Sequence, residues 1–294
     1  MRKIINIKKI DRDIELYNLH VEKNNNYICN GVVVHNCHTT QSKPFLSTLD
    51  NLTNIEYRYG FTGTIPKDRY KRMKIISRIG KINRVIDIKE LITKDLATPV
   101  NIKSIFLYHS CVNIYDREME KQYIYRCDDR YKIIYNLISS LMRKNHNTIL
   151  YVNDIKYGSN TTFKKIIEQH VDCNVFLINK ETKKDKFLDI KKYIESNKKN
   201  VIISTYKLAS TGISIKNIDS IVFGQPIGRD FIKLMQTIGR GVRKFHNKRS
   251  IDIYDFVDIF KKNIEWDINQ KHYLQRLKYY KQHEFNISRS EIIL

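Results

Sequence analysis

The tripeptide His35-Asn36-Cys37 places three side chains together that could cut and rejoin a peptide bond. The side-chain amide of Asn36 can attack its own main-chain carbonyl, which closes a five-membered succinimide and cleaves the bond to residue 37. His35 could polarise that carbonyl or protonate the leaving amine, as a general acid or base. Cys37 offers a thiol that can take over an acyl group before the cleavage. This order of residues predicts a peptide rearrangement at the Asn36–Cys37 bond.

The residues before this tripeptide predict a small all-β segment that could present it. Short β-favouring runs between residues 1 and 36 are separated by Asp, Asn and Gly, which is typical of short strands and turns. Asn30-Gly31 predicts a tight turn that brings the second strand back beside the first. The run LYNLHVEKNNNYICNGVVVHN followed by Cys37 resembles the carboxyl-terminal motifs of inteins. A β-hairpin that happens to precede His-Asn-Cys is the plainer alternative.

The resemblance to inteins implies protein splicing at Asn36–Cys37, with residues 1–36 as the carboxyl-terminal intein fragment. Two positions depart from the family, because Asn18 stands where Asp is usual and Asn25 where His is usual. Either difference could slow the reaction. Since Met1 lies so close to the cleavage bond, we expect the amino-terminal intein fragment on a partner polypeptide, as in a split intein acting in trans. A fragment of a longer gene would have the same sequence.

The run QTIGRGVR at residues 236–243 contains two guanidinium groups close to a glutamine. Gln236, Gly239, Arg240 and Arg243 match the pattern Q-x-x-G-R-x-x-R. We expect a helix over FIKLMQTIGRGVRKF, in which side chains three residues apart share one face. Two guanidinium groups there suit the negative charge that develops on a γ-phosphate during its transfer. A solvated basic helix face is the plainer alternative.

Two shorter polar runs follow predicted strands and could bind the phosphates of a nucleic acid. The run FTGT at residues 61–64 places Thr62 and Thr64 after a strand-like stretch. The run STGIS at residues 210–214 follows the strand VIISTY and combines hydroxyl groups with the backbone amides around a glycine. Its candidate residues are Ser210, Thr211, Gly212 and Ser214. An ordinary turn after a strand would also explain either run, and FTGT more easily.

The three runs occur in the order found in helicases of superfamily two, whose motifs they resemble. These helicases have a D-E-x-H box, and Cys37-His38 would be its last two residues if the partner polypeptide ends in Asp-Glu. The resemblance extends over nearly everything after Cys37 and is closest to the UvsW helicases of T4-like phages. The similar stretches are FTGTIPKDRYKRMKIISRIGKI, NIKSIFLYHS, STYKLASTGISIKN, QTIGRGVRKF and LQRLKYYKQHEFN.

This resemblance implies an ATP-dependent, magnesium-requiring helicase that remodels branched DNA, including R-loops, in recombination and replication repair. It implies that His38 couples the nucleotide site to the nucleic acid, and that Arg240 and Arg243 act as arginine fingers. The expected nucleotide-binding residues are Gln236, Gly239, Arg240, Arg243 and Gly212. No G-x-x-x-x-G-K-[ST] loop occurs in the sequence. We therefore expect ATP and Mg²⁺ to be bound mainly by the missing amino-terminal half, and this chain alone to hydrolyse no ATP.

The elements that must position these motifs alternate regularly from about Asn101. Apolar residues at helical spacing predict a helix over Asp128–Asn145, capped by Asp128 or Asp129. Short apolar runs predict the strands TILYVN, NVFLIN, VIISTY, DSIVFG and IDIYDFV, separated by amphipathic helices such as TTFKKIIEQH and KKDKFLDIKKYIES. This alternation predicts an α/β fold with a doubly wound parallel sheet. The helicase resemblance makes that sheet RecA-like.

We therefore expect four regions along the chain. Residues 1–36 are the all-β intein fragment, 37–98 the end of a first RecA-like domain, 99–260 a complete second one, and 261–294 a basic and aromatic tail. Four aromatic side chains of the tail could stack on bases, although packing inside the domain is the favoured interpretation. These residues are Tyr273, Tyr279, Tyr280 and Phe285.

The composition favours a nucleic-acid partner. Lys and Arg total 53 against 31 Asp and Glu, a formal net charge of +22, which predicts salt-dependent attraction to DNA or RNA. An AT-rich genome would also raise the lysine content. The 5 cysteines lack C-x-x-C spacing, which favours neither a zinc site nor a disulfide framework. Since no apolar run is long enough for a membrane span or signal peptide, we expect a cytoplasmic protein, in the host cytoplasm if a phage encodes it.

Two other classes of function are compatible with the sequence. The chain could be a stand-alone basic DNA-binding module with an inactive intein remnant. It could instead be the ATPase part of another superfamily-two motor, such as an RNA helicase or a restriction-enzyme subunit. The favoured hypothesis is a helicase half that needs a partner polypeptide with the amino-terminal intein fragment, binds branched DNA, contacts no membrane and is monomeric after splicing.

Overall fold

A computed structural model of the 294-residue chain provides the architecture. The structure describes residues 26–29, 32–35, 68–82, 87–109, 117–153, 159–211, 215–227, 231–245, 248–260 and 268–294. These residues belong to two compact units, Met1–Val85 and Ile86–Leu294. No helix within the described ranges is both long and apolar enough to cross a membrane.

The described part of the first unit contains a β-hairpin and a helix. Strands β1 (Asn26–Cys29) and β2 (Val32–His35) are antiparallel, and Cys29 is paired with Val32. Two residues therefore connect the strands, as the Asn-Gly dipeptide predicts. Helix α1 (Arg69–Ile79) is rich in lysine and arginine. The expected hairpin is present, whereas residues 36–67, with the cleavage bond and the FTGT run, lie outside the described residues.

A parallel sheet forms the centre of the second unit. Its strands are β3 (Val100–Tyr108), β4 (Asn147–Val152), β5 (Asn174–Ile178), β6 (Asn200–Thr205), β7 (Ser220–Phe223), β8 (Ile251–Ile259) and β9 (Asn286–Ile293). In the described residues they lie in the order β5-β6-β4-β7-β8-β3-β9, and every neighbouring pair is parallel. The predicted parallel α/β sheet is confirmed.

Helices cover both faces of this sheet. They are α2 (Ile88–Thr93), α3 (Arg117–Arg126), α4 (Asp128–Arg143), α5 (Ser159–His170), α6 (Lys184–Ser196), α7 (Tyr206–Thr211), α8 (Phe231–Gly241) and α9 (Ile268–Gln282). The helices α2, α6, α7, α8 and α9 pack in the apolar core on one face. The helices α4 and α5 pack in the core on the other face.

The central strand β4 shows why the fold needs both helical layers. Ile149 and Tyr151 belong to one core, and Leu150 and Val152 belong to the other. Neighbouring side chains of a strand point to opposite faces. A strand that is covered on both faces therefore needs an apolar residue at each position, which the run ILYV supplies.

Buried asparagines fix the register at the amino edge of the sheet. Asn147, the first residue of β4, contacts through Nδ2 the carbonyl oxygens of Ile194 (3.1 Å), Asn197 (2.9 Å) and Asn217 (3.0 Å). Its Oδ1 accepts a hydrogen bond from Nδ2 of Asn200 (2.9 Å). Burying a polar amide is favourable only when it is bonded in this way. These contacts tie two strands to the end of α6.

Two local predictions differ from the structure. Cys127 occupies the N-cap of α4 and makes no capping bond with its side chain. Asp128 and Asp129 lie instead in the first turn, where the positive end of the helix dipole also favours carboxylates. Residues of the predicted tail form α9 and the edge strand β9, which pairs with β3. The four tail aromatics are buried, so the packing interpretation is confirmed.

Candidate nucleotide and nucleic-acid site

Polar residues follow the strands at the carboxyl edge of the sheet, where ligands of open α/β sheets usually bind. Gln225, two residues after β7, accepts a hydrogen bond at Oε1 from the backbone N of Asn153 (2.6 Å), which follows β4. The carbonyl oxygen of Gln225 accepts a hydrogen bond from the Tyr206 hydroxyl (2.8 Å) at the start of α7. Gln225 thus joins the ends of two strands to the helix that contains Ser210 and Thr211.

The STGIS run begins inside a helix and not in the ordinary turn that was the plainer alternative. Helix α7 spans Tyr206–Thr211, so the backbone of Ser210 and Thr211 is helical. The Thr205 hydroxyl accepts a hydrogen bond from the backbone N of Leu208 (3.3 Å), as an N-terminal cap does. Gly212 and Ser214 lie outside the described residues. The prediction missed α7 because the strand run VIISTY included its first residue.

Helix α8 contains most of the Q-x-x-G-R-x-x-R pattern. Gln236, Gly239 and Arg240 lie in the helix, but it ends at Gly241, so Arg243 lies two residues beyond its end. The expectation that one helix would present both guanidinium groups is therefore wrong. Two glycines weaken the helix at this end. The backbone N of Thr98 also donates a hydrogen bond to the carbonyl oxygen of Val242 (2.7 Å). This bond favours a non-helical backbone after Gly241.

Arg240 and Arg243 nevertheless form a pair of partly buried charges. Burial, and then the positive charge of Arg243, lower the pKa of Arg240. Burial also lowers the pKa of Arg243. Arginine stays protonated at neutral pH despite such shifts. Two like charges with reduced hydration favour an anion between or beside them, and the phosphates of a nucleotide have that charge.

Gly241 allows α8 to approach the sheet closely. A Cβ atom at this position would lie 2.1 Å from Cδ1 of Ile251 and 2.9 Å from Cδ1 of Ile221. Among the described residues, no atom lies within 4 Å of the position that a Cβ atom at Gly239 would take. Packing within the described residues thus explains why residue 241 is a glycine, but not why residue 239 is one. Gly239 is available for close approach by a ligand.

Two buried ion pairs of β8 were not predicted. Asp258 binds Nε of Arg130 (2.9 Å) and Nε2 of His109 (3.0 Å), and Arg130 also donates from Nη1 to the Gly224 carbonyl oxygen (2.6 Å). Asp255 accepts two hydrogen bonds from Arg276, at 2.9 Å each. Acidic residues inside the apolar run IDIYDFVDI are the sequence signal, because a buried carboxylate needs a partner.

The arginines of these two ion pairs also hold the backbone on either side of Gln225. Arg130 belongs to α4 and bonds to the carbonyl oxygen just before Gln225. Arg276 of α9 donates from Nη1 to the carbonyl oxygen of Ile227 (2.8 Å), two residues after Gln225. The segment that follows β7 is thus bonded from both faces of the sheet, which fixes the position of Gln225.

The remaining predicted residues cannot be placed. Asn36, Cys37, His38, Thr62 and Thr64 lie outside the described residues, and only the backbone of His35 is described. No group of three potential metal ligands occurs among the residues that the structure does describe.

The segment that contains the STGIS and QTIGRGVR runs is similar to known proteins. Residues 129–244 match the family model of the helicase conserved C-terminal domain. The ATP-dependent DNA helicase UvsW of Enterobacteria phage T4 is 24% identical over 265 residues, which cover 85% of this chain and 52% of that protein. The chain therefore spans about half the length of this curated relative.

Solved structures show the same fold. The crystal structure of T4 UvsW has a TM-score of 0.55 and 22% identity, over 85% of this chain and 51% of that one. A fragment of an HsdR subunit of a type I restriction enzyme from Vibrio vulnificus has a TM-score of 0.62 and 14% identity, over 90% and 48%. S. cerevisiae Dbp5 bound to RNA has a TM-score of 0.53 and 16% identity, over 89% and 59%. The chain is similar to the carboxyl-terminal half of a superfamily-two helicase, and in sequence to UvsW.

Proposed function

We propose that this chain is the carboxyl-terminal half of an ATP-dependent DNA helicase that acts on branched DNA, R-loops included. The observation that supports this most is the partly buried pair Arg240 and Arg243, at the end of the segment that matches the helicase C-terminal domain. The similarity to the T4 DNA helicase favours DNA as the partner. In this proposal residues 37–98 complete a first RecA-like domain and the sheet is the second.

The arginine pair binds the nucleotide in this proposal. ATP, when bound, supplies the phosphoanhydride whose cleavage drives movement along DNA. Arg240 and Arg243 stabilise the charge that develops on the γ-phosphate, Gln236 binds beside it, and Gly239 gives the phosphates room. Gly212 borders the same nucleotide. Mg²⁺ is proposed to be bound mainly by the partner polypeptide, because this sequence contains no G-x-x-x-x-G-K-[ST] loop.

DNA would contact the carboxyl edge of the sheet. The hydroxyl groups of Ser210, Thr211 and Ser214 are proposed to bind phosphates, which fix a protein on the nucleic acid without reading its sequence. Thr62 and Thr64 are proposed to do the same from the first domain, and His38 to couple both sites. The bonds of Gln225 to Asn153 and Tyr206 hold α7 at this edge.

A second proposal concerns maturation. We infer that residues 1–36 are a split-intein fragment that excises itself by trans-splicing at Asn36–Cys37. The support is the antiparallel hairpin of β1 and β2, because the Asn36 peptide follows directly on the last residue of β2. The acyl group of the amino-terminal polypeptide would first move from its own intein fragment to the Cys37 thiol and form a thioester. Cyclisation of Asn36 would then break the Asn36–Cys37 bond, and the acyl group would move from the thiol to the freed α-amine of Cys37 to form the new peptide bond.

Trans-splicing is tested by mixing the chain with a candidate partner that carries the amino-terminal intein fragment. Mass spectrometry should detect a ligated product without residues 1–36, and Asn36→Ala should abolish it. If wild type and Asn36→Ala behave alike with every candidate partner, the splicing proposal is wrong. The helicase proposal would be unaffected, because it depends on residues after Cys37.

The helicase is tested with the joined two-domain enzyme. Arg240→Ala should reduce DNA-stimulated ATP hydrolysis by about 10³-fold or more, since removing an arginine finger costs about 10³- to 10⁵-fold where it has been measured. Arg249→Ala is the matched control, because Arg249 is an exposed arginine of the same unit. Equal rates for the two variants would refute the proposed role of Arg240.

The similarity to the HsdR fragment and to Dbp5 keeps another motor as the second candidate. A restriction subunit would translocate on DNA without separating its strands, and an RNA helicase would be stimulated by RNA. Comparing ATP hydrolysis with RNA, duplex DNA and forked DNA, together with a nuclease assay, separates these activities. Unwinding of forked DNA or R-loops with stimulation by DNA supports the first proposal. A stand-alone DNA-binding module would bind DNA equally well with or without a partner polypeptide and would gain no ATPase activity from it.

A further inference from the structure

The carboxyl end of α8 is fastened by residues from two other parts of the chain. Thr98 donates hydrogen bonds from its backbone N to the Val242 carbonyl oxygen (2.7 Å) and from Oγ1 to the Arg243 carbonyl oxygen (3.3 Å). Lys248 donates from Nζ to the carbonyl oxygen of Gly241. Carbonyl groups at a helix end have no partner within the helix. Three consecutive ones are bonded here, directly around the arginine pair.

Thr98 is itself firmly placed. Its side chain is fully buried, and the next residue, Pro99, accepts a hydrogen bond at its carbonyl oxygen from the backbone N of Ile251 (2.9 Å). The following residue, Val100, is paired with Ile251 in the sheet. Thr98 is therefore held in place by the start of β3, and its two hydrogen bonds restrict movement of the carboxyl end of α8.

The residues that lead into the unit, 87–98, are named the entry segment. Its helix α2 packs in the same core as Ile238 and Val242 of the α8 region. The backbone N atoms of Leu96 and Ala97 both bond to the carbonyl oxygen of Leu91, at 2.8 and 3.2 Å. The segment thus folds back on α2, and Thr98 at its end contacts the backbone of Val242 and Arg243.

Lys248 holds the carboxyl end of α8 by its charge as well as by its hydrogen bond to Gly241. Its ammonium group lies at the negative end of the helix dipole, where a cation is favoured. Burial lowers the pKa of Lys248 to about 8, while the charge of Asp219 raises it and that of Lys198 lowers it further. A lysine that gives up part of its hydration is held there by its bond to Gly241.

We infer that Thr98 and Lys248 are positioning residues for Arg240 and Arg243, and that the entry segment thereby determines where the arginine pair stands. The inference rests on the proposed function only for what the arginines bind. Partly buried like charges gain hydration if they move apart or outward. A backbone fastened at three successive carbonyl groups opposes that movement and keeps both guanidinium groups in place before any anion binds.

The full chain alone can test this placement, without any ATPase activity. Phenylglyoxal modifies arginine side chains, and peptide mapping gives the rate at each residue. Thr98→Val keeps the backbone donor and the side-chain shape but removes the hydroxyl group. We expect modification of Arg240 and Arg243 to become about fivefold faster, which converts to roughly 1 kcal/mol, the usual net contribution of one hydrogen bond. Arg126 is exposed in α3 and should keep its rate.

Thr98→Ser restores a hydroxyl group and should return both rates close to the wild-type values. Lys248→Met should accelerate both modifications as Thr98→Val does, and Lys248→Arg should do so less. The inference is overturned if Thr98→Val leaves Arg240 and Arg243 unchanged, or if it accelerates Arg126 to the same extent, which would indicate general loosening of the fold.

In the joined enzyme, Thr98→Val should lower kcat for ATP severalfold and leave KM and DNA affinity unchanged, with recovery in Thr98→Ser. This result is distinct from failure of the proposed function. If Arg240→Ala has full ATPase activity, the role of the arginines in catalysis is wrong, but the modification rates still decide whether Thr98 positions them.

Discussion

Asp258 can keep a negative charge inside the sheet because Arg130 and His109 bond to it. Burial alone would raise the pKa of Asp258, but the charge of Arg130 and the hydrogen bonds from His109 and Arg130 lower it below its usual value. The folded protein thus binds a proton at this residue less readily than the unfolded chain does. Its stabilising effect is complete above the unfolded pKa of about 3.9 and is lost as the pH falls through the folded value.

Asp258→Asn should therefore lower the free energy of unfolding by about 3–5 kcal/mol at neutral pH, because it leaves Arg130 buried without its counter-ion. Urea unfolding at several pH values measures this, and the variant should lose part of the wild-type acid sensitivity below about pH 5. Asp129→Asn is the control, since the pair of Asp129 with Lys132 is exposed and such pairs contribute little. Similar losses in the two variants would show that the buried pair contributes no more than a surface pair.

At the scale of elements, the two glycines of α8 have different reasons to be there. Gly241→Ala should reduce stability by about 1–3 kcal/mol, because the added methyl group meets two core isoleucines at the sheet. The methyl group of Gly239→Ala lies within 4 Å of no atom of the described residues, so this variant should keep stability or raise it by up to about 1 kcal/mol through helix propensity. Thermal unfolding of both variants compares them directly. A loss at Gly239→Ala as large as at Gly241→Ala would contradict this packing of α8.

The variant Gly239→Ala also tests whether Gly239 belongs to the nucleotide site, separately from its effect on stability. If the phosphates approach the backbone at Gly239, Gly239→Ala should lower the ATPase rate of the joined enzyme severalfold even though the fold is as stable as before. ATP hydrolysis measured at saturating DNA tests this, with the melting temperature of the same sample as control. An unchanged rate would remove Gly239 from the nucleotide site.

Elements with strong periodicity could be predicted from the sequence, and elements that depend on distant partners could not. The run ILYV could be predicted as part of a buried strand because four apolar or aromatic residues follow one another in it. Strand β9 was missed because its residues are mostly polar and exposed, and only its pairing with β3 makes it a strand. The helix end at Gly241 was missed for the same reason, since Thr98, far away in the sequence, helps to determine it.

The residues of the candidate site also differ in whether they could be predicted from the sequence. The pattern of Gln236, Gly239, Arg240 and Arg243 could be found by spacing alone, because it lies within eight consecutive residues. Arg130 and Asp258 stand 128 positions apart, and the sequence gives no rule for choosing one buried partner among many basic residues. The acidic positions of β8 could have indicated that partners exist, but not which ones.

For the whole molecule, the net charge of +22 does not by itself distinguish a nucleic-acid-binding protein from a merely lysine-rich one. Several lysines of the described surface already have acidic partners, among them Lys89 with Glu284 and Lys198 with Asp219. A helicase needs other cations to lie along one phosphate track, whereas a biased genome would scatter them. These two arrangements differ in how binding responds to salt.

We expect the full chain to bind forked DNA with a Kd that rises steeply with salt, because each phosphate contact releases condensed counterions. With about six to ten contacts, affinity should fall by about 10³- to 10⁵-fold between 50 and 200 mM salt. Fluorescence anisotropy with a labelled fork measures this, and a disordered polyanion such as poly-glutamate is the competitor. If poly-glutamate displaces the fork at equal charge concentration, the positive charge attracts any anion, and a defined DNA track at the carboxyl edge of the sheet would be excluded. Resistance to poly-glutamate together with a steep salt dependence would mean that the cations are arranged to match the spacing of phosphates.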